Sequence, residues 1–210
     1  VPRHLRFDIQ ERTAADGTEI EPLDLDSLEK VVLLSQKLGV EAIAIQLLHS
    51  YVSPQHEIDA ADFLRSSLPG VAITASSQIT REWREYERAN TAVLNAYVQP
   101  IVHRYLDRLE SSLIEQNIRC PLHAMQSNGG TTEFSWVRDH PITLIESGPS
   151  AGVNGAAIVA KFYEEDNVIY LDIGGTTAKC SVIENAQPKV TTEYKLESSR
   201  LNSGYPIKVP

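Results

Sequence analysis

An aspartate at the end of an apolar run, followed by a glycine pair and two threonines, is a combination that can hold phosphate. It occurs here as Val168-Ile-Tyr-Leu-Asp172-Ile-Gly174-Gly175-Thr176-Thr177-Ala-Lys179-Cys-Ser-Val182. Beyond the turn, Ala178, Cys180 and Val182 alternate with Lys179 and Ser181, the period of a half-buried strand with the apolar set inward. The segment therefore predicts a β-hairpin, with Val168 to Asp172 and Lys179 to Ile183 as antiparallel strands. Walker A and dinucleotide loops need other glycine spacings and open a helix, so both are excluded. In a Gly-Gly-Thr hairpin, Gly174 and Gly175 can take positive φ and let backbone N–H groups approach phosphoryl oxygens, while the Thr176 and Thr177 hydroxyls add donors. Asp172 would face the same phosphates through Mg2+ or a water. On these residues alone an ordinary Gly-Gly hairpin fits equally well.

The element that must position such a hairpin lies just upstream, in Ser147-Gly-Pro149-Ser-Ala-Gly152-Val-Asn-Gly155-Ala156 and on to Ala160. Pro149 suits a first helical turn and Ser147 or Gly148 can cap it, while Gly152, Gly155, Ala156 and Ala160 give a small-residue face for close packing. A small-faced helix leading into a strand, Asp-x-Gly-Gly-Thr and a second strand resembles the connecting helix and second phosphate loop of the actin-like ATPases.

A closer resemblance runs along the whole chain. Val1-Pro-Arg-His-Leu-Arg-Phe, Glu41-Ala-Ile-Ala-Ile-Gln-Leu-Leu-His49-Ser-Tyr51, Arg84-Glu-Tyr-Glu-Arg88 with Asn95-Ala-Tyr97, Met125-Gln-Ser-Asn-Gly-Gly130 and Ser147-Gly-Pro149 look, in that order, like the hydantoinase A / 5-oxoprolinase family. The resemblance implies an α/β, actin-like (ribonuclease H-like) fold with a mixed sheet flanked by helices. It further implies ATP and Mg2+ as cofactors, a small cyclic amide as substrate, and ring opening coupled to ATP cleavage. A hydantoinase B-type partner subunit or domain is also implied. Asp172 is then the catalytic and metal-side residue, and Gly174, Gly175, Thr176 and Thr177 the nucleotide-binding ones. Acetone-carboxylase-type members share the signature, and an ATP-driven conformational switch is a further alternative.

Two family features are missing from these residues: an earlier Asp-x-Gly-Gly-Thr loop, and a glycine-rich segment beyond the equivalent of Tyr205-Pro-Ile-Lys-Val-Pro210. The chain accordingly reads as an internal piece of a longer polypeptide. Residues 1–167 would be most of the N-terminal lobe and 168–210 the start of the second.

Composition fits an α/β piece: 42% of the 210 residues are hydrophobic and 22% charged, enough for one large or two small cores. A formal charge of −9 gives no basic face for nucleic acid or an acidic membrane. No signal peptide or membrane span is legible, which makes the cytoplasm the expected compartment. Cys120 and Cys180 show no metal spacing and are expected to be buried thiols.

The remaining pattern alternates strands and helices. Leu5 to Arg12 reads as a strand, Ala15 to Gly17 as a turn, Leu25 to Leu38 as a helix stopped by Gly39, and Ala42 to Leu48 as a buried strand. A helix from Pro54 to Leu68, a strand from Val71 to Ala75 and a long helix from Tyr86 to Gln116, broken or kinked at Pro100, come next. Pro121 to Gln126 reads as another strand.

Four side features complete the reading. The cluster Arg81 to Arg88 reads first as a solvated helix start and otherwise as an interface or substrate-side surface, since Trp83 and Tyr86 are awkward if both exposed. Ser127-Asn-Gly-Gly130 is a turn at a strand's C-terminal end and so a cleft candidate, while His49 is expected to bond a backbone carbonyl near Tyr51. Gly148-Pro-Ser150-Ala-Gly152 matches the serine-hydrolase elbow as a minor alternative at Ser150, but no histidine follows it.

Overall fold

The computed structural model describes residues 1–190, 194–196 and 205–207. The remaining stretches of the expected second lobe, 191–193, 197–204 and 208–210, lie outside them. The chain divides into two compact units, Val1–Tyr105 with Tyr194–Lys208, and Leu106–Glu193 with Val209–Pro210.

In the first unit a short hairpin, β1 (Arg12–Thr13) and β2 (Glu19–Glu21), closes through the turn at Gly17, whose φ is +90°. The long strand expected from Leu5 is not formed: Arg3–Leu5 is a 3-10 turn and pairing begins only at Arg12. Helix α1 (Leu25–Leu38) starts where the Asp24 carboxylate accepts the N–H groups of Asp26 and Ser27, and stops at Gly39 in the left-handed conformation, φ +62°. The Gly39 stop follows the sequence reading, and the Asp24 cap is ordinary N-terminal capping chemistry.

Strand β3 (Ala42–Ile45), helix α2 (Gln55–Ser67) and strand β4 (Ala72–Ala75) form a βαβ unit, with β3 and β4 parallel from Ala42 opposite Ala72 to Ile45 opposite Ala75. Leu28 and Val31 of α1, Ala60, Ala61 and Leu64 of α2, and Ile45, Ile73 and Ala75 of the strands make the core. A short helix α3 (Ser76–Ile79) precedes α4 (Glu85–Glu115), which is one helix of 31 residues through Pro100. The expected break does not occur. Its packing holds it on the N-terminal side of the proline, where Asn95 donates to the Thr74 hydroxyl at 3.0 Å and Thr74 donates to Gln99 at 3.1 Å. Anchors of this kind can offset the one hydrogen bond that proline removes.

The second unit contains a hairpin of β5 (His123–Met125) and β6 (Thr131–Glu133), a short helix α5 (Phe134–Asp139) and helix α6 (Ser147–Phe162). An antiparallel three-stranded sheet, β7 (Val168–Ile173), β8 (Ala178–Glu184) and β9 (Gln187–Pro188), packs on α6. In the first unit, β10 (Tyr194–Leu196) pairs antiparallel with β11 (Tyr205–Ile207). No helix among the described residues is long and apolar enough to cross a membrane.

Candidate functional site

The expected hairpin is present. β7 and β8 pair from Val168 opposite Ile183 to Ile173 opposite Ala178, and Gly174 N–H donates to the Thr177 carbonyl at 3.0 Å across the turn. Asp172 stands directly opposite Lys179, so the two side chains share a face. That face is half-covered, and it is the one turned to α6: Tyr170, Asp172, Lys179 and Ser181 lie on it, with Ile183 buried at its end.

This reverses the inward set expected from the sequence. Ala178, Cys180 and Val182 are exposed, together with Ile169, Leu171 and Ile173 across the pair. Period-two alternation fixes which residues share a face but not which face an adjoining helix covers. Cys180 is consequently an exposed thiol, and Cys120, between α4 and β5, is exposed as well, so neither is the buried thiol expected from the sequence.

The small-residue face read on α6 is used only in part: Gly152 and Ala160 lie in packed surroundings, whereas Gly155 is exposed and a Cβ there would meet nothing within 4 Å. The Tyr170 hydroxyl lies 1.9 Å from where a Cβ on Gly152 would stand, and Ala157 and Ala160 are buried. The Ser127–Gly130 turn abuts the same helix. Gly129, at φ +85°, leaves no room for a Cβ against the Asn154 amide, 2.3 Å away, and Ser127 Oγ lies 2.6 Å from the carbonyl oxygens of both Thr143 and Ile145. The Ser127–Gly130 turn and strand β7, which leads into the Gly174–Thr177 turn, are thus both seated against the N-terminal half of one helix.

Helix α6 begins differently from expectation. Its N-cap is Glu146, left-handed at φ +56°, and no side chain caps it. The Glu146 carboxylate instead pairs with the Lys179 ammonium. Ser150 lies within the first turn of α6, preceded by a 3-10 turn (Pro141–Leu144) rather than a strand, so the strand-turn-helix of a serine elbow is not formed.

Gly174 and Gly175 do not use the left-handed freedom that glycine allows, since neither has positive φ. What they contribute is space. A Cβ at Gly175 would meet nothing within 4 Å, and at Gly174 only the Thr177 carbonyl at ordinary contact distance. Gly174 to Thr177 are all exposed; the Gly174 N–H is used inside the turn, which leaves the N–H groups of Gly175, Thr176 and Thr177 and the two threonine side chains as its donors. This donor set suits phosphoryl oxygens. One nearby carboxylate suits Mg2+, which binds through one or two carboxylates plus substrate phosphates rather than an all-protein cage.

In the first unit the structure brings together a polar cluster that the sequence reading largely missed. Glu57 is fully buried: Oε1 accepts from Leu47 N–H and the Ser76 hydroxyl at 2.8 and 2.7 Å, and Oε2 accepts from Ser77 N–H at 2.8 Å. Arg88, also fully buried, donates to Ser76 Oγ at 3.1 Å, to the Leu47 carbonyl at 2.9 Å and to the Glu82 carbonyl at 2.8 Å, and pairs with Glu85. The solvated reading of the Arg81–Arg88 cluster therefore fails for Arg88, although Trp83 and Tyr86 are exposed as that reading required. The signal was a charge set on an apolar period. Glu57 shares its face with Ala60, Ala61 and Leu64, and Arg88 shares its face with Thr91, Ala92 and Asn95, all buried.

His49 follows β3 in the left-handed conformation, φ +61°, its N–H donating to Glu85 at 3.3 Å and its ring edge-on to Tyr51 at 6.0 Å. Its buried Nδ1 has no partner among the described residues, so the expected bond to a backbone carbonyl is absent. His56, on α2, is held between Glu11 (Nδ1, 2.8 Å) and Glu19 (Nε2, 2.8 Å). Burial opposes charging that ring, but the hydrogen bonds and charges of the two carboxylates outweigh it and raise its pKa.

Residues 88–210 match the family described as Hydantoinase/oxoprolinase, and residues 1–68 its N-terminal region. The alpha subunit of caprolactamase from Pseudomonas jessenii is 33% identical over the whole chain, which spans 29% of that subunit. The crystal structure of the ATP-dependent caprolactamase from the same organism superposes on all of the chain and 34% of its own, with a TM-score of 0.78 and 27% identity. The nucleotide-free structure of acetone carboxylase does so over all of the chain and 29% of its own, with a TM-score of 0.80 and 26% identity. The chain thus spans about a third of these relatives' length and shares their mixed helix-and-sheet, actin-like ATPase fold.

Proposed function

Because this chain belongs to the hydantoinase/oxoprolinase family, we propose that it is the phosphate-loop-bearing part of an ATP-dependent cyclic-amide hydrolase. In that reading Gly174, Gly175, Thr176 and Thr177 bind the phosphates of ATP, and Asp172 holds Mg2+ or orients water. Residues 1–167 form most of one lobe and 168–210 begin the other. The observation that carries the reading is the open Gly174–Thr177 hairpin, with Asp172 two residues before it and α6 packed beneath the same strand.

The chemistry asked of these residues is positioning and charge neutralisation. Phosphoryl transfer to an amide oxygen makes the amide carbon electrophilic toward water, and the protein's part is to hold donors where phosphate charge develops. Backbone N–H groups and threonine hydroxyls do this without changing protonation state. Mg2+, when bound, neutralises phosphate charge. A hydantoinase B-type subunit as partner follows from the same family reading, and it is supported by relatives named as subunits.

The likeness to acetone carboxylase favours one second reading, ATP-dependent activation of a ketone for carboxylation. Turnover of ATP by the intact protein separates the two: stimulation by lactams, hydantoins or 5-oxoproline supports hydrolysis, and stimulation only by a ketone with bicarbonate overturns it. Asp172→Asn tests the site. It keeps shape and removes charge, and should lower ATP turnover by about 100-fold or more, as for loss of a major electrostatic contributor. Parent-level turnover would move the site elsewhere.

A further inference from the structure

We propose that Lys179 is a phosphate-contacting cation of the nucleotide site, and that Glu146 holds it as a substitute anion until nucleotide arrives. The inference rests on the nucleotide reading of the Asp172 hairpin. Its own basis is the position of three charges: Lys179 is the direct cross-strand neighbour of Asp172, two residues past Thr177, and its ammonium pairs with Glu146 at the start of α6.

The Glu146 backbone is left-handed, φ +56°, which a non-glycine residue adopts at a cost. No side chain caps α6, and the Glu146 carboxylate goes to Lys179. The pair is weakly committed. Its side chains are 37% and 40% exposed, and ion pairs this accessible hold their partners loosely. A phosphate presents more charge and more acceptor oxygens to an ammonium than one carboxylate does, so exchange is favourable. Once Lys179 turns to phosphate, the Glu146 carboxylate loses this cation and its negative charge opposes nucleotide binding. The two residues therefore act on nucleotide affinity with opposite sign.

That sign difference distinguishes the exchange from a structural ion pair. Binding of a non-hydrolysable ATP analogue with Mg2+ to the intact protein is measured by calorimetry, with melting temperature alongside. Lys179→Gln should weaken binding by about tenfold or more, the scale of one charge-assisted hydrogen bond. Lys179→Arg should stay within about threefold of parent because it keeps the charge. Glu146→Gln should tighten binding by about two- to fivefold, the scale of one accessible charge interaction. If Lys179→Gln and Glu146→Gln both weaken binding, or neither changes it, the exchange is wrong while the nucleotide site stands. If the parent itself does not bind, the proposed function falls, and this inference with it.

Discussion

The hydroxyl of Tyr170 stands where the side chain of any residue but glycine at position 152 would begin, 1.9 Å from an ideal Cβ. This approach seats strand β7, and with it Asp172, directly on helix α6. Gly152→Ala should therefore force the Tyr170 ring out of this seat and destabilise the protein by about 1–3 kcal/mol, the usual cost of overpacking. Thermal melts of Gly152→Ala, Tyr170→Ala and the double variant check it. The double variant should recover part of the loss, and strict additivity would show that the two do not share this space.

Gly175 makes the opposite prediction. A methyl group there meets nothing of the chain, so Gly175→Ala should leave the melting temperature within a degree or so while impairing nucleotide binding, because the methyl projects from the open turn. Unaltered affinity for Mg·ATP in the intact protein would remove the turn from the site.

Glu57 and Arg88 meet through Ser76, whose hydroxyl donates to the first and accepts from the second. Truncating either to alanine strands a buried charge, at a cost of about 3–5 kcal/mol. Denaturant unfolding should show each loss, with the double alanine variant losing clearly less than their sum because the two share one network.

His56 gives the first unit a pH dependence. Its pKa in the folded protein is raised, so the clamp between Glu11 and Glu19 contributes fully below the unfolded histidine value of about 6.5 and is lost as pH rises through the higher folded value. Stability of the parent relative to His56→Gln should fall on going from pH 6 to alkaline pH. A difference independent of pH would show that the ring is not charged in the clamp.

The 210 residues expressed alone should not hydrolyse ATP, because one phosphate loop supplies only part of the donor set that phosphoryl transfer requires. Turnover abolished by Asp172→Ala would prove otherwise.

Local chemistry determined much of this protein from sequence alone. Asp24 and Gly39 set both ends of α1, the period of residues 55–67 set α2, and the Gly174–Thr177 turn set the β7–β8 hairpin, since caps, periodicity and turn residues act over a few positions. The candidate site residues were legible for the same reason. What tertiary structure decided was orientation and burial. Which face of β8 is covered depends on where α6 lies, and α4 runs unbroken through Pro100 between residues held by other elements. Glu57 and Arg88 could become buried charges only once Leu47, Ser76 and Ser77, distant in sequence, supplied the hydrogen bonds that make such burial tolerable. Lys179 lies opposite Asp172 as the hairpin read from sequence requires, but its pairing with Glu146 is a contact across 33 residues that no local pattern encodes.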